Sequence, residues 1–428
     1  MRTPTDRAHR TRRRLRLGTV VLIGLLGPMT LLVPGSPAGS TPRDTTSTTS
    51  TSTTVPVLGG LDSFYDVPDP LSSAPPGSII RSEAIPVIAG LPIRTAAYRI
   101  LYHSESMDGS DIGVSGVVVV PGRRAPVGGY PIVSWAHGTT GLASDCAPSR
   151  QGIDDIPFLP QLLEAGYVVA ATDYEGLGTS GIDPYLVGQS EGQSVLDAAR
   201  AARDLLGSQA SDQVIVAGHS QGGQAALFAG QIAASYAPEL FIAGVVSIAP
   251  VATVGEFVPP TVGRSANPLS VFTVASLYEW AKTYGNLTLS SLLTPAAVNL
   301  TAGIDQQCIN SLAAEFADMP TDRIFRPGWE SSGSTVVALE TANEPGWAPS
   351  LAPILVVQGI NDTLTPYTDA TTLVDQRLCR DQHDTVQYDA FHNAGHTNVL
   401  DVAQPSVLRW MASRLSGYSR SGNTCPRS

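Results

Sequence analysis

With 428 residues, 43% of them apolar and 15% charged, the chain is too apolar to be disordered as a whole. It also exceeds the roughly 250–300 residues of one ordinary domain, so an insertion or a second domain is expected. Net charge is −11, and without the seven arginines and one aspartate of residues 1–17 there remain 19 basic and 36 acidic residues. A body that acidic repels phosphate backbones, so no nucleic-acid partner is expected.

Residues 1–38 read as a secretory signal peptide. Arg2, Arg7, Arg10, Arg12, Arg13, Arg14 and Arg16 precede an apolar run from Val20 to Val33, and small residues follow at Ser36, Pro37 and Ala38. The run falls short of the about 20 residues needed to span a bilayer, so cleavage is expected over retention as an anchor. The arginines also admit the twin-arginine export route. Residues 39–57 read as a Ser/Thr-rich linker, because Thr45 to Thr54 is an unbroken run of serine and threonine that has nothing to bury. A folded body is expected from residue 58.

In that body, alternation and β-branched runs predict strands over 96–103, 112–121, 130–135 and 167–172. Helical spacing appears over 156–164 and 193–206, then a strand over 214–217, a helix over 224–234 and a strand over 241–248. The rhythm breaks over 254–346. Leu269–Ala281 and Ile309–Phe316 look helical there, and only Thr335–Leu339 has the β-branched look of a strand. Strands return at 354–357 and 385–388, and a helix follows over 397–407. The reading is an α/β core, 58–253 with 347–428, built on a mostly parallel central sheet flanked by helices, with a mainly helical cap inserted at 254–346.

Gly218-His219-Ser220-Gln221-Gly222 lies directly between the strand Val214–Val216 and a helix. A GxSxG sequence alone is weak, but a serine on a sharp strand-to-helix turn exposes its hydroxyl, and flanking glycines relieve the crowding. Ser220 is therefore the candidate nucleophile, and His219 is expected to point away from it. In α/β-hydrolases the acid and then the histidine follow the serine along the chain. His396, in a loop before the last helix, is favoured as base over His392. Asp362, just after the strand 354–357, is favoured as the orienting acid, with Glu256 as rival. For the oxyanion, the amide of Gln221 and that of Thr139, in Trp135-Ala136-His137-Gly138-Thr139, are the expected donors.

Cys146, Cys308, Cys379 and Cys425 lack zinc spacing, and an even number in an exported chain suggests two disulfides, with three pairings open. No metal or organic cofactor is expected.

These residues, together with Phe64-Tyr65-Asp66, Pro76-Gly77-Ser78, Asp145-Cys146-Ala147-Pro148-Ser149, Asp173-Tyr174-Glu175-Gly176 and Ser235-Tyr236-Ala237-Pro238, resemble the secretory lipase family of α/β-hydrolases. The resemblance implies catalytic roles for Ser220, Asp362 and His396, and disulfides Cys146–Cys308 and Cys379–Cys425. It implies a secreted or surface-associated carboxylic ester hydrolase acting on small ester or lipid substrates, with lipid–water interfaces as a place to meet them. A carboxylesterase for short or polysaccharide-linked acyl groups and a serine exopeptidase are the alternatives.

Overall fold

The computed structural model describes residues 61–257, 262–331, 334–415 and 422–426. The signal and linker segments, 1–38 and 39–57, lie outside the described residues.

Nine strands form one sheet: β1 (Ile79–Ile85), β2 (Ala96–Glu105), β3 (Asp111–Val120), β4 (Tyr130–Ala136), β5 (Val168–Thr172), β6 (Ala210–His219), β7 (Phe241–Ile248), β8 (Ile354–Gly359) and β9 (Val386–Phe391). Their order is β1-β2-β3-β5-β4-β6-β7-β8-β9. Pairing is antiparallel from β1 to the β3/β5 contact and parallel from β5 through β9.

The strand sequences explain why both faces are covered. In β6 the alternation sends Val214 and Val216 into one apolar cluster and Ile215 and Ala217 into the other. A run that is apolar on both faces, as Val214–Ala217 is, needs helices on both sides. The first face is closed by α2 (Gly188–Leu206) and α3 (Gln221–Tyr236), through Val195, Ala198, Ala202, Ala225 and Ala229. Small residues let these two helices approach closely: a Cβ on Gly192 would lie 2.9 Å from the Ala229 nitrogen. The second face is closed by α1 (Leu159–Ala165) and α7 (Val399–Leu415), through Leu162, Val407, Trp410 and Met411.

Between β7 and β8 no described residue joins the sheet. This stretch carries α4 (Ser270–Tyr284), α5 (Ile309–Phe316), α6 (Thr335–Asn343) and shorter helical turns. Its Trp280, Phe316, Phe325 and Trp329 share one apolar cluster with Leu142, Tyr185, Leu186 and Val187 from outside the segment. No helix among the described residues is long and apolar enough to cross a membrane.

The structure corrects one expected strand and adds another that the sequence pattern did not place. Thr335–Leu339 is helical rather than extended: the Ser334 hydroxyl accepts the Val337 amide as an N-cap, and Val336 and Leu339, one turn apart, enter the same apolar cluster. Capping and packing override the β-branched bias there. β1 carried no periodic signal, because it is an edge strand with charged Arg81 and Glu83 at its half-exposed centre.

Candidate active site

Ser220 sits where β6 ends and α3 begins, with φ 60° and ψ −120°. A non-glycine residue held there is strained, and the surrounding packing over-determines it. A Cβ on Gly218 would lie 2.1 Å from the Gly222 carbonyl oxygen, and one on Gly222 would lie 2.0 Å from that of Ala136. Both positions require glycine for close approach. The turn leaves Ser220 8% exposed at the wall of a cavity of about 940 Å³.

Asp362 and His396 arrive from the loops after β8 and β9. These loops are tied together: the Asn361 amide donates to the Ala394 carbonyl at 2.9 Å, and Asn361 Nδ2 donates to the His392 carbonyl at 3.1 Å. His396 Nε2 stands 2.9 Å from Ser220 Oγ, and His396 Nδ1 stands 2.8 Å from Asp362 Oδ2. A carboxylate only accepts, so Nδ1 carries the ring hydrogen and Nε2 is left to accept the serine proton. His392 lies on the exposed part of its loop. The side chain of Glu256 lies outside the described residues.

Burial alone would raise the Asp362 pKa. Its hydrogen bond and charge interaction with His396, with the amides of Thr365 and Leu364, more than offset this and hold it below the usual carboxylate value. Oδ1 accepts those two amides at 2.9 and 2.8 Å, while Gln358 Nε2 and Thr365 Oγ1 reach Oδ2 at 3.1 and 3.0 Å. Gln358 and Thr365 had no signal of their own in the sequence.

The Trp135–Gly141 loop runs past the serine: a Cβ on Gly138 would sit 3.5 Å from Ser220 Cβ, and Thr139 and Thr140 line the same cavity. Gln221 opens α3 directly after Ser220. His137 Nδ1–H donates to the Gly138 carbonyl at 2.6 Å, and burial keeps this imidazole's pKa low. His219 does not point away from the site. Its Nε2–H donates to the His396 carbonyl at 2.9 Å, since a carbonyl can only accept. Asp173 lines the cavity and is held by Ser115 and Ser149, and burial raises its pKa. Glu175 instead braces Ser106 and Ser190.

Disulfides join Cys146 to Cys308 and Cys379 to Cys425. Beside the first, the Ile309 amide donates to the Thr140 carbonyl at 2.8 Å and the Leu142 amide to the Gln307 carbonyl at 3.1 Å. This stitches the inserted segment to the loop that carries Thr139. Among the described residues, no group of three or more His, Cys, Asp or Glu side chains is arranged to hold a metal ion.

The family model for secretory lipases matches residues 143–423. The chain belongs to the secretory lipase family. A Mycobacterium tuberculosis protein bearing the name "Probable inactive lipase" is 27% identical over 391 residues, covering 85% of this chain and 83% of that one. A secreted triacylglycerol lipase of Malassezia globosa is 27% identical over 394 residues, covering 85% and 81%. Among solved structures, Candida antarctica lipase A in its closed state matches with TM-score 0.69 at 19% identity, over 85% of this chain and 86% of that one. A rice cell wall degrading esterase from Xanthomonas oryzae matches with TM-score 0.66 at 19% identity, over 81% and all of that chain. At such identities these two likenesses are of fold, and the fold of this secretory lipase is that of the α/β-hydrolases.

Proposed function

We propose that the protein is a secreted, serine-dependent lipase that hydrolyses acylglycerol esters through an acyl-enzyme. The observation that carries this reading is the unbroken row Ser220 Oγ, His396 Nε2, His396 Nδ1 and Asp362 Oδ2, with successive gaps of 2.9 and 2.8 Å, opening onto a cavity large enough for an acyl chain. His396 takes the Ser220 proton as the hydroxyl attacks the ester carbonyl. Asp362 orients the ring and stabilises the imidazolium. The amides of Thr139 and Gln221 receive the oxyanion, and the α3 N-terminus favours the charge that develops there. His396 then protonates the departing alcohol, and water, activated by the same imidazole, releases the fatty acid.

The resemblance to a relative named as inactive makes turnover the point to test. Ser220→Ala is expected to abolish both hydrolysis of a p-nitrophenyl ester and labelling by a fluorophosphonate. Undiminished hydrolysis by the pure variant ends the reading.

A second reading, an esterase for short or polysaccharide-linked acyl groups, draws on one feature. The cavity wall includes the polar Gln151, Asp154 and Asp155 beside the apolar Phe272, Ile309 and Leu364. Rates on emulsified triacylglycerols against short soluble esters separate the two. An extracellular site of action follows from the secretory family. Attachment at the cell surface applies if residues 1–38 stay uncleaved.

A further inference from the structure

Glu191 is a buried carboxyl that the ester chemistry above does not use. It lies in the first turn of α2 and is 2% exposed. Its Oε1 accepts two hydrogen bonds, from the Leu186 amide at 2.9 Å and from Gln221 Nε2 at 2.8 Å. Its Oε2 is buried and makes no hydrogen bond. Burial pushes its pKa up to about 8, in part offset by the bonds from Gln221 and Leu186. Fold stability alone is better served by an apolar residue than by a carboxyl buried in this way.

Both arms of this carboxyl lead to the oxyanion site. Gln221 is the residue after the nucleophile, and its amide is one proposed donor. Leu186 is the neighbour of Tyr185, whose hydroxyl lies 2.9 Å from Thr139 Oγ1. The amide of Thr139 is the other proposed donor. Tyr185 itself is buried, 2% exposed, while Thr139 lines the cavity. The Tyr185 carbonyl also accepts Trp280 Nε1–H from α4 at 3.1 Å. One carboxyl thus stands where three connections meet: the start of α3, the Thr139 loop and the inserted helical segment. Oxyanion donors act only when held within a fraction of an ångström of the developing charge, so what fixes them matters as much as their identity.

We propose that Glu191 is a positioning residue for the oxyanion hole, acting through Gln221 on one side and through Leu186, Tyr185 and Thr139 on the other. This rests on the reading of Ser220 as nucleophile and deepens it.

The test compares Glu191→Leu, Glu191→Gln and Tyr185→Phe in the secreted protein, with Ser220→Ala as control. Glu191→Leu is expected to lower kcat on a soluble p-nitrophenyl ester by about 10- to 100-fold with KM within about 2-fold, the signature of an interaction made in the transition state. Affinity for an alkyl boronic acid, whose tetrahedral adduct fills the same hole, falls in parallel. Glu191→Gln still offers an acceptor oxygen to both N–H groups and is expected to stay within about 3-fold of the parent. Tyr185→Phe cuts only the Thr139 arm and is expected to lower kcat by about 3- to 10-fold. A kcat for Glu191→Leu within 2-fold of the parent, or a loss carried wholly by KM, overturns the proposal. If Glu191→Leu does not fold, an unchanged kcat and boronate affinity in Tyr185→Phe overturns it. Turnover that survives Ser220→Ala ends the nucleophile reading itself. A dead Ser220→Ala beside fully active Glu191→Leu and Tyr185→Phe ends the brace alone.

Discussion

The imidazoles of His219 and His396 lie side by side, their centroids 4.7 Å apart, and His219 donates its Nε2–H to the backbone carbonyl of His396. The immediate neighbour of Ser220, the proposed nucleophile, thereby supports the loop that presents His396. Burial, then the charge of His396, lowers the His219 pKa to about 4, so its ring is neutral above that pH.

A pH dependence of stability follows. An unfolded histidine titrates near about 6.5, so between there and about 4 the unfolded chain binds the extra proton. The contribution of His219 is therefore fully present above about pH 6.5 and is lost as pH falls through the window toward 4. The stability gap between the parent and His219→Gln is expected to narrow between about pH 7 and about pH 4.5, as read by urea unfolding. A gap that stays constant or widens contradicts this.

Asp362→Asn tests the orienting role separately from folding. An amide offers an N–H where His396 needs an acceptor, which favours the wrong ring tautomer. A fall in kcat of about 10⁴-fold is expected, with an unchanged far-UV circular dichroism spectrum. A loss under about 10-fold would mean that Thr365, whose Oγ1 lies 3.2 Å from His396 Nδ1, rather than the carboxylate, orients the ring.

The two disulfides are expected to differ in activity more than in stability. They close loops of 162 and 46 residues, for which the chain-entropy model gives about 5 and about 4 kcal/mol. Only Cys146–Cys308 borders the Thr139 loop. At a temperature where both variants are folded, C146S/C308S is expected to lose kcat and C379S/C425S to keep it. Equal kcat values would uncouple the inserted segment from the chemistry.

Phe272 of α4 lines the cavity together with Leu364 and Ile309. Trimming it to alanine opens room on the apolar wall. The ratio of kcat/KM on a dodecanoyl ester to that on a butanoyl ester is expected to rise about 3- to 10-fold in Phe272→Ala. A falling ratio would put the acyl chain elsewhere in the cavity.

Several of these relationships were open to reading from the chain and others were not. That Ser220, Asp362 and His396 would come together was legible because each follows a strand of the sheet, and strand ends are where an α/β sheet gathers its side chains. The sheet was largely legible because its central strands carry buried apolar runs, such as Val214–Ala217 in β6 and Ile354–Val357 in β8. The direction of His219 was not legible, because it depends on where a loop 177 residues away places a carbonyl. Nor were Gln358, Tyr185 and Glu191, polar residues whose meaning comes from partners distant in sequence. Thr335–Leu339 misled because a β-branched run states a preference that a cap and a waiting apolar surface outweigh.

The pairing of Cys308 and Ile309 with the loop between Gly141 and Cys146 constrains how a substrate can enter. A flap joined to its frame only where the polypeptide enters and leaves could swing wide. The segment between β7 and β8 is also tied near its middle, on the wall of the cavity that Ser220 lines. On the lipase reading proposed above, the tied edge is a fixed wall of the entrance, and Phe272 of α4 stands on the part of the cavity wall that this disulfide does not tie.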